Sequence, residues 1–359
     1  MTTLRAVSVE ERPGGRIRLV GDVRGGGAPE EVWYEVPASL ADGIDRSGAP
    51  WLVALLPLAV TRGTPLRVPL PVDARLVGNL RRVMEIWSGW YPHLRPVPLE
   101  VEEEEADGPL GGRVAAFFSG GVDSFYTVLR HLPGDATPPG VRVRSAVLRR
   151  AGVPVDPVSE EGDPPPSKTS VEDLLTVEGF DIPLREGQAL TRLRARHRRV
   201  ADGLGLHPVP VATNLRETAW GTTDWAGLSH GCGLASVALI LGRRYRRVLL
   251  AGGSGHHAVR PWGSHPDTDP LLSSSRTRFF REGWGASRLQ KIWLVAGSEV
   301  ALRALRVCWR SATDRNCERC GKCYRTLLAL DLFDVLPEAG GFTVDRSDPG
   351  VVARLFASN

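Results

Sequence analysis

Lysine is nearly missing from this sequence. Only Lys168, Lys291 and Lys322 occur among the 45 basic residues of a 359-residue chain, so arginine carries almost all of the positive charge. With 40 glycines and 28 prolines alongside, this reads as a genome-wide compositional bias, and arginine richness by itself does not point to nucleic acid. A net charge of +4 and a pI near 8.9 fall just short of the ~9 that marks a basic binding domain; a nucleic-acid partner is allowed but not indicated. Long apolar runs are missing too. No window approaches the ~18–20 consecutive apolar residues of a membrane span, and the N-terminal stretch mixes charge with glycine where a signal peptide needs an apolar block. A cytoplasmic protein without membrane contact is expected. Cysteine is scarce: five residues, an odd number, which argues against a disulfide framework and leaves metal binding or a reactive thiol. What is present, 42% hydrophobic and 24% charged residues, suffices for a globular core and excludes dominant disorder. At ~100–200 residues per domain the length suggests two domains, or one with an extension.

Residues 1–98 hold short alternating runs such as Arg16–Val20 and Glu31–Val36 between glycines and prolines, a β-rich pattern. Apolar residues at Leu76, Leu80, Val83, Met84 and Trp87 then predict a helix over Asp73 to Trp87. The acidic run Glu100 to Asp107 reads as a solvated edge or linker. From Arg113 strand, turn and helix alternate, which implies a parallel sheet with helical crossovers. Strands are expected at Val114–Phe118, Leu174–Val177, Val209–Ala212 and Val248–Ala251. Helices are expected at Phe125–Leu132, Gln188–Gly203, Gly233–Leu241 and Val300–Val307, with a last one starting near Tyr324. The proline-rich stretch from Val153 to Ser170 reads as a surface insertion. Three segments follow: a β-rich domain over 1–110, an α/β domain over 111–335 and a tail over 336–359.

The first α/β strand runs into Ser119-Gly120-Gly121-Val122-Asp123-Ser124, and a helix begins at once. Paired glycines bring backbone N–H groups close to an anion, and the emerging helix adds its positive end. Ser119 and Ser124 can donate to phosphate oxygens, whereas Asp123 would repel phosphate unless a divalent cation, magnesium, lay between them. The alternative is a ligand-free turn with a capping serine. No Walker-type loop is present. The full string at a strand–helix junction resembles the signature of the PP-loop ATP pyrophosphatases. The resemblance implies an adenine-nucleotide α-hydrolase-like fold, a parallel sheet with helices on both faces. It also implies ATP bound at the carboxyl ends of the strands and cleaved between the α- and β-phosphates, with Ser119, Gly120, Gly121, Val122, Asp123 and Ser124 on the pyrophosphate.

Four of the cysteines cluster: Cys308, then Cys317 after eight residues, Cys320 after two and Cys323 after two. Thiolates two residues apart can grip one metal, and four complete a tetrahedral zinc shell, a C-terminal zinc knuckle; Gly321 would permit the tight turn. Iron–sulfur is the rival, although the Cys-Pro of ferredoxin-type sites is missing. A PP-loop domain followed by this spacing is similar to 7-cyano-7-deazaguanine synthase, over roughly Arg113 to Phe333. That similarity implies an AMP-forming ligase that adenylates a carboxylate or amide oxygen, followed by attack of ammonia or an amine, with ATP, magnesium and zinc as cofactors. Where that family places its deazaguanine motifs this chain has Ala251-Gly252-Gly253-Ser254-Gly255-His256-His257 and Gly263-Ser264-His265-Pro266-Asp267-Thr268-Asp269-Pro270. The acceptor, a small acid or modified base, therefore does not carry over.

His265, Asp267 and Asp269 offer acid–base groups for an acceptor pocket, or form a surface turn held by Asx-type bonds. Lys291 could neutralise the leaving pyrophosphate, although an exposed helix lysine is the preferred reading. His230 caps a helix or reaches the nucleotide; the cap is preferred. Cys232 could carry sulfur in a thiolating relative, but buried packing is preferred. Arg192, Arg194, Arg196, Arg198 and Arg199 spread around more than one helical face, which favours a solvated helix over an RNA track. Trp262 and Trp284 flank the pocket segment. Alternatives to the ligase are a nucleobase or tRNA sulfurtransferase and a non-catalytic ATP-binding module. The first hundred residues are expected to recognise the acceptor or to form a homodimer contact.

Overall fold

The computed structural model describes residues 1–25, 29–132, 169–253 and 260–343. The proline-rich stretch Val153 to Ser170, except for Thr169 and Ser170, lies outside them, as do residues 254–259 and the tail from 344.

Five strands form the parallel half of the sheet: β6 (Arg113–Phe117), β7 (Asp173–Glu178), β8 (His207–Thr213), β9 (Tyr245–Ala251) and β10 (Arg278–Glu282). Their spatial order is β10-β9-β6-β7-β8, so the chain leaves β6 first to one side and later returns to the other. The loops after β6 and β9 therefore diverge, and a crevice opens between them at the carboxyl ends, where open α/β sheets take their ligands.

The N-terminal residues continue the same sheet. β1 (Thr2–Arg12), β2 (Arg16–Arg24) and β3 (Glu30–Pro37) are antiparallel, and β3 pairs antiparallel with β8 through Tyr34–Thr213 and Glu35–Ala212. β4 (Leu66–Asp73) and β5 (Leu99–Glu104) extend the other side in parallel, giving ten strands in order β10-β9-β6-β7-β8-β3-β2-β1-β4-β5. The acidic run thus supplies an edge strand, which its charge protects from pairing with another chain.

Parallel strands need cover on both faces. Along β6, Ala115 and Phe117 point to one core, and Val114 and Ala116 to the other, in the period of two that a strand imposes. The first core holds α1 (Ala49–Arg62), α2 (Ala74–Trp90) and α5 (His230–Leu239). The second holds α3 (Val122–Arg130), α4 (Gly187–Leu204), α6 (Arg288–Ala296), α7 (Glu299–Ala304) and α8 (Gly321–Leu332).

The N-terminal region is less β-rich than expected, because α1 was hidden in the sequence. Every residue from Ala49 to Val60 is buried, so α1 has no polar face to give it a helical period. It packs against α5 from the other half of the chain, and both halves share one apolar core.

Candidate functional site

The Ser-Gly-Gly turn lies between β6 and α3. Gly120 has φ +75°, a left-handed conformation that a side chain disfavours, and its carbonyl accepts the Arg306 N–H at 2.8 Å. Ser124 is turned inward: its Oγ donates to the Gly121 carbonyl at 3.0 Å and accepts the Ser119 N–H at 3.3 Å. The Ser119 Oγ accepts the Gly121 N–H at 3.3 Å. Ser119, Gly121, Val122 and Asp123 face the crevice, while Gly120 and Ser124 hold the turn from behind. Ser124, expected as a phosphate donor or catalytic group, is a brace of the loop.

Asp123 stands in the first turn of α3 with both oxygens engaged. Lys291 Nζ reaches Oδ1 at 3.1 Å, and Arg288 reaches Oδ2 at 3.0 Å. The expectation of an exposed lysine is corrected here. Lys291 is 1% exposed because its face of α6 packs onto α3, and its ammonium also donates to the Gly252 carbonyl after β9 and lies 5.6 Å from the Tyr126 ring. Burial lowers its pKa, and the Asp123 carboxylate opposes that shift. Lys291 lines neither cleft and so positions Asp123 and the β9 loop. Two cations on Asp123 also remove the repulsion from which magnesium was argued.

Two clefts meet at this point. The first is lined by Ser119, Gly121 and Asp123 of the loop, by the cations Arg288, Arg306, Lys322 and Arg325, by a second carboxylate, Asp181, and by Cys308 and Trp309. Its charged lining is four cations and two carboxylates, with Arg288 already paired to Asp123. His197, on α4 beneath the loop, is 6% exposed; its Nε2 has no hydrogen-bond partner and would lie 3.4 Å from a Cβ on Gly120. Burial, with Arg196 and Arg306 nearby, pushes its pKa down to about 3. This histidine was missed, and its place in an arginine-rich helix offered no signal.

The second cleft, about 320 Å³, shares Asp123 and Lys322 with the first and is lined further by His230, Trp262, Ser264, His265, Arg281 and Trp284. Both flanking tryptophans are thus in it. The Gly-Ser-His-Pro-Asp-Thr-Asp-Pro segment divides. His265 faces the cleft, with its ring 4.5 Å from that of Trp90. Asp267 is exposed and 3.6 Å from the His265 Nδ1, outside the lining. Asp269 is fully buried, accepting from Ser264 Oγ at 2.7 Å and the His265 N–H at 3.1 Å and pairing with Arg281 at 2.9 Å. The acid–base expectation for these two aspartates is corrected: one is solvated beside the cleft, and the other braces the loop. His230 is not a cap, since Ser229 holds that position without a side-chain bond; burial and nearby cations push the His230 pKa down to about 4.

The four clustered cysteines converge. Their Sγ atoms all lie within 4.8 Å of one another, with Cys317 and Cys323 3.9 Å apart and Cys320 and Cys323 3.5 Å apart. Zn–S bonds of ≈ 2.3 Å in a tetrahedron put sulfurs about 3.8 Å apart, so the thiols fit a metal ion such as zinc. The Ser311 N–H donates to Cys308 Sγ at 3.3 Å, and Asn316 bonds the backbone of Leu305, Val307, Cys308 and Gly341. The tight turn between the sulfurs falls at Glu318, φ 54°, while the expected Gly321 begins α8.

The fifth cysteine, Cys232, is 1% exposed inside the first core, where burial pushes its thiol pKa up. The arginines of α4 are not simply solvated. Arg192 and Arg196 reach Asp314 at 2.8 and 3.3 Å, and Arg194 reaches Glu178 at 2.6 Å; Arg198 and Arg199 are exposed. No helix among the described residues is long and apolar enough to cross a membrane. Comparison with known protein families, with curated proteins and with solved structures finds no match to this chain.

Proposed function

We propose that this chain is an AMP-forming, ATP-dependent ligase of the PP-loop kind. The observation that carries the reading is the pair of adjoining clefts sharing Asp123 and Lys322. One joins the Ser119–Asp123 loop to Arg306, Lys322 and Arg325, cations suited to pyrophosphate that outnumber the carboxylate Asp181; the other, with indoles and two histidines, suits a flat acceptor. The reacting α-phosphate then lies at the junction, and the acceptor's carboxylate or amide oxygen attacks it from the second cleft. Pyrophosphate leaves into the first cleft, and ammonia or an amine displaces AMP. Magnesium enters as the counterion of the triphosphate. His230 and His265 line the acceptor cleft and are the imidazoles placed to accept the proton that the nitrogen nucleophile sheds; burial lowers both pKa values and so favours passing that proton on to solvent. A structural zinc on Cys308, Cys317, Cys320 and Cys323 completes the assignment.

Sulfur transfer is disfavoured by Cys232, which is buried and protonated, with the other four cysteines committed to one cluster. The test is product analysis. ATP incubated with candidate heteroaromatic acids and ammonium is expected to give AMP and pyrophosphate in step with acceptor consumption. ADP as the product would refute attack at the α-phosphorus, and intact ATP with every acceptor would favour a non-catalytic module.

A further inference from the structure

The cysteine cluster sits against the phosphate loop, and the segment that carries it forms the facing wall of the first cleft. Lys322 stands between the ligands Cys320 and Cys323 in the first turn of α8, and Arg325 follows one helical spacing later on the same side. Both line the cleft together with Ser119 and Gly121, and Lys322 also borders the second cleft. Among the described residues neither has a carboxylate partner: Arg325 Nε donates to the Gly321 carbonyl at 3.0 Å, and the Lys322 carbonyl accepts from Thr326 Oγ1 at 2.8 Å while its ammonium has no hydrogen bond or ion pair. Two cations without a carboxylate partner in the same cleft as a glycine-rich turn at a helix N-terminus, a turn that the buried His197 supports from behind, are arranged for an anion with several charges. Both lysines of the described residues converge here, Lys291 behind Asp123 and Lys322 across from it.

The loop between Cys308 and Cys317 is tied to the opposite wall as well. Arg306 donates its backbone N–H to the Gly120 carbonyl at 2.8 Å, and its guanidinium to the carbonyls of Ser311 and Thr313 at 3.1 and 2.9 Å. Asp314, in the same loop, is gripped by Arg192 and Arg196 of α4, the helix that carries His197. The width of the cleft is thus set by how the cysteine segment is held.

We infer that Lys322 and Arg325 are polyphosphate-binding residues and that metal on the four cysteines fixes them in place, so that metal occupancy controls affinity for a pyrophosphate group. This rests on the nucleotide reading above and adds to it the residues of the second wall and their dependence on the metal.

The test is a calorimetric titration of inorganic pyrophosphate, then of ATP with magnesium, into the full-length zinc-loaded chain. The Lys322→Ala/Arg325→Ala double variant is expected to bind pyrophosphate at least tenfold more weakly, with zinc content and melting temperature unchanged. The Lys322→Arg/Arg325→Lys variant should stay within about threefold of the original. Stepwise chelation, with the fold followed by circular dichroism, should lower the unsubstituted chain to the affinity of the alanine double variant and leave that variant unaltered. If chelation unfolds the chain, Asp314→Asn is read instead: it removes the carboxylate charge that Arg192 and Arg196 grip, Arg196 keeping its bond to the residue-314 carbonyl, and leaves every thiolate, and a weakening in the same direction is expected. Pyrophosphate binding by the unsubstituted chain that survives in the alanine double variant within twofold overturns the assignment of the two cations. Unchanged affinity after chelation of a folded chain overturns the metal control, and unchanged affinity in Asp314→Asn overturns the dependence of the two cations on how the cysteine segment is held. Absence of binding by the unsubstituted chain overturns the nucleotide reading together with this one.

Discussion

His197 carries no charge in the folded protein, and the cost of keeping it neutral sets a pH dependence. Its pKa falls from 6.5 in the unfolded chain to about 3 in the folded one. Below pH 6.5 the unfolded state takes up a proton that the folded state refuses, so stability is full above that value and declines as the pH drops toward 3. One such group contributes about 1 kcal/mol of lost unfolding free energy between pH 6 and pH 5. Urea denaturation at those two pH values should show this slope, added to that of other groups, and His197→Gln should reduce it by one proton. Lys291 shows the limit of single-residue inference. Its sequence neighbours describe an amphipathic helix, and only the packing of α6 on α3 turns the ammonium inward toward Asp123. By contrast, the four clustered cysteines announced their convergence by spacing alone, because ligand geometry at a metal tolerates few separations.

Among the elements, the strands β6 to β9 and the helices α3, α4, α5, α7 and α8 are legible to within a few residues, because crossover units repeat an apolar strand and an amphipathic helix between turn residues. The acidic edge β5 and helix α2 are legible as well, the latter capped by Asp73, whose side chain accepts the Leu76 N–H at 2.9 Å. β10 is not legible, and α6 is legible only as a helix around Lys291, without bounds. Ser287 and Gln290 form a capping box at the start of α6 and were the available signal. The orientation of the His265 to Asp269 segment was not legible, since an aspartate bonded to its own loop and one facing a ligand have the same sequence. At the same scale, Asn316 braces the cysteine loop through four backbone contacts. Asn316→Ala is expected to cost about 1–3 kcal/mol and to weaken zinc binding by roughly tenfold to a hundredfold. Thermal melts and chelator competition measure both, with stoichiometric zinc and no sulfide expected in protein purified without air.

Across the whole molecule, the division near residue 110 separates two compositions but not two cores. Trp220 Nε1 donates to the Ala54 carbonyl at 2.6 Å, Tyr34 Oη donates to Ser236 Oγ at 2.9 Å, and Asn214 takes the Trp33 N–H at 2.8 Å. A chain beginning at residue 111 would expose the apolar face of α5 and the unpaired edge of β8 to water, and size-exclusion chromatography should find it aggregated or bound to chaperones rather than monomeric. The pairing of β3 with β8 also has a consequence in time. Tyr34 and Thr213 meet across nearly half the polypeptide, so the first strands wait on the ribosome until β8 has been synthesised before their edge can close. Translation speed between these two segments therefore sets how long an open edge is offered to other nascent chains, and slowing the ribosome there is the change most apt to turn this fold toward aggregation.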